Sequence, residues 1–312
     1  MSWIVVALFG YFLNAVAAIF DKYLLADRIK APAVYAFFVS LFSLFVLPFI
    51  PFGFQFFNWQ TTGLFLLSGI LFLYGLVAAY TAMKDGEVSR ISPIIVTVIS
   101  LVAVGAGFFP GTFSETAFSL THILALVLLI GGGLLVSFDL PLRKHDHLSF
   151  SVILAGVAIG VSFLLLKYGY RDANFISGLV WSRLGMFLGG LSLFLTPLFR
   201  GQILGEIGAF SGVSRSAVHT GAVFVLNKIC AGSASFLLVY AISIGPVSFV
   251  QALSGMQNVF LLLLALPLSL HYPKIFGERM YFWDWFQKAC AIILIGLGLW
   301  LAATGGIKLL IL

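Results

Sequence analysis

The sequence predicts an all-α membrane protein of ten transmembrane helices, arranged as two inverted five-helix repeats. Three observations lead there. The chain is 61% hydrophobic and only 9% charged, with a mean hydropathy of +1.12, whereas a soluble globular chain carries about 25% charged residues. A soluble core built from 312 residues could not bury that much apolar surface. The apolar residues fall in ten runs of about twenty, the length that crosses a bilayer as a helix. Three short motifs then recur in one order along the chain.

The elements follow in turn. The first run, "MSWIVVALFGYFLNAVAAIF", lacks a basic n-region and a small-residue cleavage site, so 3–22 reads as a span and not as a removable signal peptide. Runs 32–52, 62–83, 91–109 and 121–139 complete a first half, 1–145. Runs 150–168, 175–198, 217–244, 246–269 and 285–305 make a second half, 146–312. The eighth and ninth runs are separated only by "SIGPVS", where Gly245 and Pro246 break the helix. The alternative, one helix of about fifty residues, does not fit a bilayer of ordinary thickness. The longest loop, "RGQILGEIGAFSGVSRS" at 200–216, has room for an interfacial helix. No loop accommodates a soluble catalytic domain, so function is expected within the spans.

Charge sets the orientation. The loops joining spans 1–2, 3–4, 5–6, 7–8 and 9–10 hold most of the basic residues, among them Arg28, Lys30, Lys84, Arg90, Arg143, Lys144, Arg200, Lys274 and Arg279. Lys167, Arg171 and Lys308 fall on the other side. The bias places the first set in the cytoplasm and both termini outside. The expected location is a cell membrane, multi-pass, of the bacterial inner-membrane type. The net charge of +6 is that loop bias and not a nucleic-acid footprint. Cys230 and Cys290 both lie in apolar runs and read as small core residues.

Duplication is read from three pairs: "DKYLLADR" (21–28) with "LKYGYRDA" (166–173), "YTAMKDGEVS" (80–89) with "YAISIGPVS" (240–248), and "LLIGGGLL" (128–135) with "ILIGLGLW" (293–300). Glu115 and Glu278 precede the third pair at nearly equal distances. An odd number of spans per half inverts the second half in the membrane, which places a binding site at the interface between halves, near the midplane. The shared "Y-x-A…G-x-V-S" turn and the Glu before a Gly-rich last span resemble the drug/metabolite transporter superfamily, EamA-type, over essentially the whole chain. The resemblance implies a transporter of metabolites such as amino acids, sugars or nucleotide sugars. It also implies a central cavity lined by the first, third, fourth, sixth, eighth and ninth spans.

Polar residues at depth nominate the site, because an ionisable group there costs about 2.5–3.5 kcal/mol on insertion scales and usually faces a cavity or a partner. Lys228, in "FVLNKICAGS", stands near the middle of the eighth span beside Asn227. Gln251, Ser254, Gly255 and Asn258 form one stripe of the ninth, from which Gln257 points away. Asn14 is mid-way along the first span, and Trp181 and Arg183 lie deep in the seventh. Tyr80 and Tyr240 are further candidates for the cavity wall. Arg183, Lys22 and Lys167 can be explained by snorkelling. No Asp or Glu falls in the middle third of any span; Asp21 and Asp139 come nearest. Carboxylate-based proton exchange of cationic drugs is therefore disfavoured, and Lys228 is expected to be an unpaired positive centre.

The sequence reading is a secondary transporter of a small polar metabolite, anionic or zwitterionic, working by alternating access. It holds Lys228, Asn227, Gln251, Asn258, Asn14, Arg183, Trp181, Tyr80 and Tyr240 as substrate-binding candidates, with no catalytic residue, cofactor or metal. The expected partners are the metabolite and the bilayer, the expected state a monomer or homodimer. The alternatives are a lipid-linked sugar or phospholipid flippase and a nucleotide-sugar or sugar-phosphate carrier. An intramembrane enzyme lacks support: there is no HExxH and no pair of deep carboxylates.

Overall fold

The computed structural model describes residues 3–27, 31–85, 88–107, 120–137, 150–210 and 215–257, and separate positions between 259 and 301. It is all-α, and six of its helical stretches are long and apolar enough to cross a membrane: Trp3–Asp21, Pro32–Phe52, Trp59–Met83, Phe150–Gly169, Phe175–Leu195 and Gly221–Ile244. Two more helices carry shorter apolar stretches, Ile94–Ala103 and Ile123–Gly133. The chain is a multi-span helical membrane protein.

The helices are α1 (Trp3–Asp27), α2 (Pro32–Phe42), α3 (Trp59–Asp85), α4 (Val88–Gly107), α5 (Leu120–Ser137), α6 (Phe150–Gly169), α7 (Phe175–Leu195), α8 (Pro197–Phe210), α9 (Arg215–Ile244) and α10 (Val247–Ala252). Three runs depart instructively from expectation. The second run is α-helical only to Phe42; Ser43–Phe52 continues as a 3-10 segment holding Pro48 and Pro51. Proline has no N–H to give the α-helical ladder, and Gly53, at φ 109°, ends the segment in a conformation that side chains disfavour. The seventh run stops at Leu195 and not at 198. Thr196, with ψ 120°, takes the extended backbone required before a proline, and Pro197 opens α8. Helix α8 fills the loop that had room for one. The ninth run is not a continuous helix: α10 is six residues long and gives way to a turn at Leu253–Ser254.

Two antiparallel pairs organise the core. Along α1 and α9, Trp3 lies against Gly245, Gly10 against Leu238 and Ala234, and Asp21 against Asn227 and Lys228. Along α3 and α6, Phe65 covers Gly169, Ser68 meets Ser162, and Gly75 meets Ile159. Helix α7 crosses α3 with backbones almost touching. A Cβ on Gly185 would lie 2.2 Å from the Leu66 carbonyl oxygen, and one on Gly69 would meet backbone atoms of Ser182 and Met186. Small residues at such crossings replace the hydrophobic drive that lipid cannot supply.

Candidate functional site

Lys228 is not unpaired. Its Nζ lies 3.4 Å from Asp21 Oδ1, and its side chain is only 7% exposed against 24% for Asp21. This corrects the sequence expectation of an unopposed cation, and the cause is helix length. Helix α1 runs on to Asp27, so Asp21 sits inside the helix, and the antiparallel pairing with α9 brings it level with Lys228. Around the pair, Lys228 donates to Tyr35 Oη at 3.0 Å, and Asn227 Nδ2 donates to Asp21 Oδ1 at 2.5 Å and to Tyr35 Oη at 3.0 Å. Tyr35 itself donates to Asp21 Oδ1.

Rings complete the shell. Lys228 Nζ stands 4.5 Å from the Tyr35 centroid and 5.1 Å from that of Phe224, within cation–π range. Tyr80, 7% exposed, meets Tyr35 edge-on at 4.9 Å. Tyr80 therefore belongs to this cluster and is not an interfacial ring. Asn227 is fully buried, and its Oδ1 has no hydrogen-bond partner.

The second centre is Arg183, near the middle of α7. It does not reach for the interface. Its Nη2 donates to Ser235 Oγ and its Nη1 points at Met186 Sδ, 3.6 Å away. Among the described residues no carboxylate pairs with it, and a thioether is a weak acceptor. It borders a narrow pocket, a cavity of about 30 Å³, between α3, α6, α7 and α9. The floor is hydroxylic: Ser68, Ser162, Ser182 and Ser235. Three of those hydroxyls are committed, since Ser68 and Ser162 each donate to the other's carbonyl and Ser182 donates to Leu179 O. Phe72, Phe163, Leu166 and Val239 form the apolar wall. Ser235 stands seven residues beyond Lys228 on one face of α9, about 10 Å along the axis, so a single helix connects the two cations.

A third feature is the break after α10. Ser254 N donates to Gln251 O and not to Val250 O, which leaves the Val250 carbonyl free; Tyr11 Oη on α1 donates to it at 2.8 Å. Ser100 on α4 donates to Gln251 O at 3.2 Å. Gln257 does not point away, as the helical wheel implied: the altered winding turns it to α1, where its Oε1 accepts from Asn14 Nδ2 at 2.9 Å. Gln251 is 4% exposed beside the break.

The remaining candidates separate from these centres. Trp181 points away from the Arg183 pocket and packs on Phe54 and Phe56, each at 5.5 Å; its Nε1 is buried without a partner. Tyr240 is 37% exposed and packs edge-on against Phe175. Lys167 donates to Ser243 O and Gly245 O, satisfying carbonyls at the C-terminal end of α9. Asn258, the loop cations Arg28, Lys30, Arg143, Lys144, Lys274 and Arg279, and Asp139, Glu115 and Glu278 lie outside the described residues. Asp21, read as a near-terminal acid, and Tyr35, not singled out, are the partners of Lys228 that sequence reading missed. A surplus Lys at depth was the signal for a partner, but the pairing of α1 with α9 that identifies it is tertiary.

No protein family matches the chain, and no curated protein matches it. Among solved structures, 27 chains match. One, described only as "Crystal structure of protein", superposes with a TM-score of 0.63 over 95% of this chain and 96% of its own at 12% identity. The chain thus shares a whole-length fold with a protein of known structure.

Proposed function

We propose that the protein is a secondary transporter of a small polar metabolite, built of ten spans in two inverted halves and working by alternating access, like the drug/metabolite transporters it resembles. The observation that carries this reading is the pocket between four helices drawn from both halves of the chain, with serine hydroxyls and the Arg183 cation on its lining. The serine hydroxyls there are largely satisfied by backbone carbonyls, so the cost that calls for a solute is that of the Arg183 charge.

The packing supports two related halves. Helix α1, first in its half, lies on α9, the third span of the other; α6 lies on α3 in the same way. At the contact of α5 with the last described helical residues, Gly132 meets Ala291 and Ile295, and Gly298 meets Ala125 and Leu129. Ala291, Ile295 and Gly298 stand at one constant sequence separation from Ala125, Leu129 and Gly132, so each glycine fills the role of the other. The turn at Leu253–Ser254 interrupts the ninth run, and discontinuous helices are a recurring feature of transporters.

In this reading the Asp21–Lys228 pair holds α1 to α9, and the pocket around Arg183 receives the solute. The test is counterflow in proteoliposomes across a panel of organic acids, amino acids and sugars. Saturable exchange of at least one solute is expected. Lipid scrambling with no solute exchange would replace this reading with a flippase.

A further inference from the structure

We infer that Arg183 is the anchor for a single carboxylate group, and that the solute is a monoanion with an apolar body. The inference rests on the transport reading for its purpose, but its chemistry comes from the pocket alone. Two cations lie deep in the described spans, and one is already neutralised, since Lys228 is paired with Asp21. Among the described residues Arg183 has only a serine hydroxyl and a thioether. The guanidinium carries five N–H donors in a planar fork that matches a carboxylate, so most of its donor capacity is unspent.

Ser235 adds one more donor. Its Oγ accepts from Arg183 and, among the described residues, its hydroxyl donates to none, whereas the hydroxyls of Ser68, Ser162 and Ser182 are committed to carbonyls. The fork and the Ser235 hydroxyl therefore converge as donors on the one pocket.

The same inventory excludes other ligands. A phosphate dianion would bring two charges to one uncompensated cation. A zwitterion would bring an ammonium group, and the described lining offers it no carboxylate. The wall of Phe72, Phe163, Leu166 and Val239 favours an apolar chain over a sugar. Size adds a further condition. The cavity is small, about 30 Å³, which favours a compact anionic group at the Arg183 end.

Purified protein is to be titrated by isothermal calorimetry and thermal shift with the straight-chain monocarboxylates from acetate to hexanoate, their matched amides, and inorganic phosphate. The carboxylates are expected to bind and to tighten with chain length, at least 30-fold tighter than their amides and tighter than phosphate. Arg183→Lys, which keeps the charge but loses the fork, is expected to weaken hexanoate about tenfold, and Ser235→Ala about threefold. Arg183→Gln is expected to weaken it more than 100-fold. Equal binding of hexanoate and its amide, tighter binding of phosphate, or unchanged affinity in both Arg183→Lys and Arg183→Gln would overturn the assignment. If one variant does not fold, the other and the amide comparison still decide. Counterflow of hexanoate is scored separately. Binding that depends on Arg183 without flux sinks the transport reading and leaves the anion site; flux that ignores Arg183 does the reverse.

Discussion

Lys228 and Arg183 look alike in the sequence, each a single cation deep in an apolar run, yet their surroundings differ in kind. Lys228 is enclosed: a carboxylate, a phenol and two aromatic faces surround its ammonium group. Arg183 is left open, with one hydroxyl, one sulfur and a pocket. A buried ion pair is weak evidence of net stabilisation, but breaking one by removing a single partner is costly. A cation without a counter-ion has the opposite signature: removing it relieves a cost and removes a function. Depth alone did not separate the two, and compensation does.

The largest expected effect comes from the crossing that places Arg183. Gly185→Val puts side-chain atoms into the Leu66 backbone, and a cost above about 4 kcal/mol is expected. Size-exclusion chromatography should then recover little or no monodisperse protein. Next comes the enclosed cation. Lys228→Met and Asp21→Asn should each destabilise by about 3–5 kcal/mol, because each strands the other's charge. The double variant should recover most of that loss in a thermal or chemical unfolding series. Additive losses would show that the two side chains do not act as a pair.

Tyr11→Phe should cost about 1–3 kcal/mol, since it leaves the Val250 carbonyl at the helix break without its donor. A negligible effect would mean that water or a rearranged turn satisfies that carbonyl. The smallest effect on stability is expected at the open cation: Arg183→Gln should change it by less than about 1 kcal/mol, the lost bond to Ser235 being offset by removal of an uncompensated charge. A loss as large as that of Lys228→Met would erase the distinction between the two centres.

Much of this architecture was legible in the sequence, for a physical reason. Bilayer thickness fixes helix length, so apolar runs reported α1, α3, α6, α7 and α9 to within a few residues. Gly245 and Pro246 separated α9 from α10 as their backbone chemistry requires. Within spans the reading was weaker. Asp21 looked terminal because apolarity ends near it, although the helix does not; a polar last turn is invisible to a hydropathy argument. Gln257 was assigned the wrong face because a helical wheel assumes unbroken winding, and Ser254 bonds one residue short. Lys167 looked like a snorkelling residue, yet it caps the carbonyls of a helix 76 residues away. Arg183 was noticed, Ser235 lies on a different helix, and nothing local said that they meet. Pairings across the bundle depend on which helices are neighbours, and that is a property of the whole fold.

The most direct measurement is heat denaturation of the wild type, Arg183→Gln and Lys228→Met, each with and without saturating hexanoate. The account predicts a lowered melting temperature only for Lys228→Met, and loss of the hexanoate-induced shift only for Arg183→Gln. The reverse pattern, with the shift lost at Lys228 and kept at Arg183, would contradict it and return the anion site to Lys228.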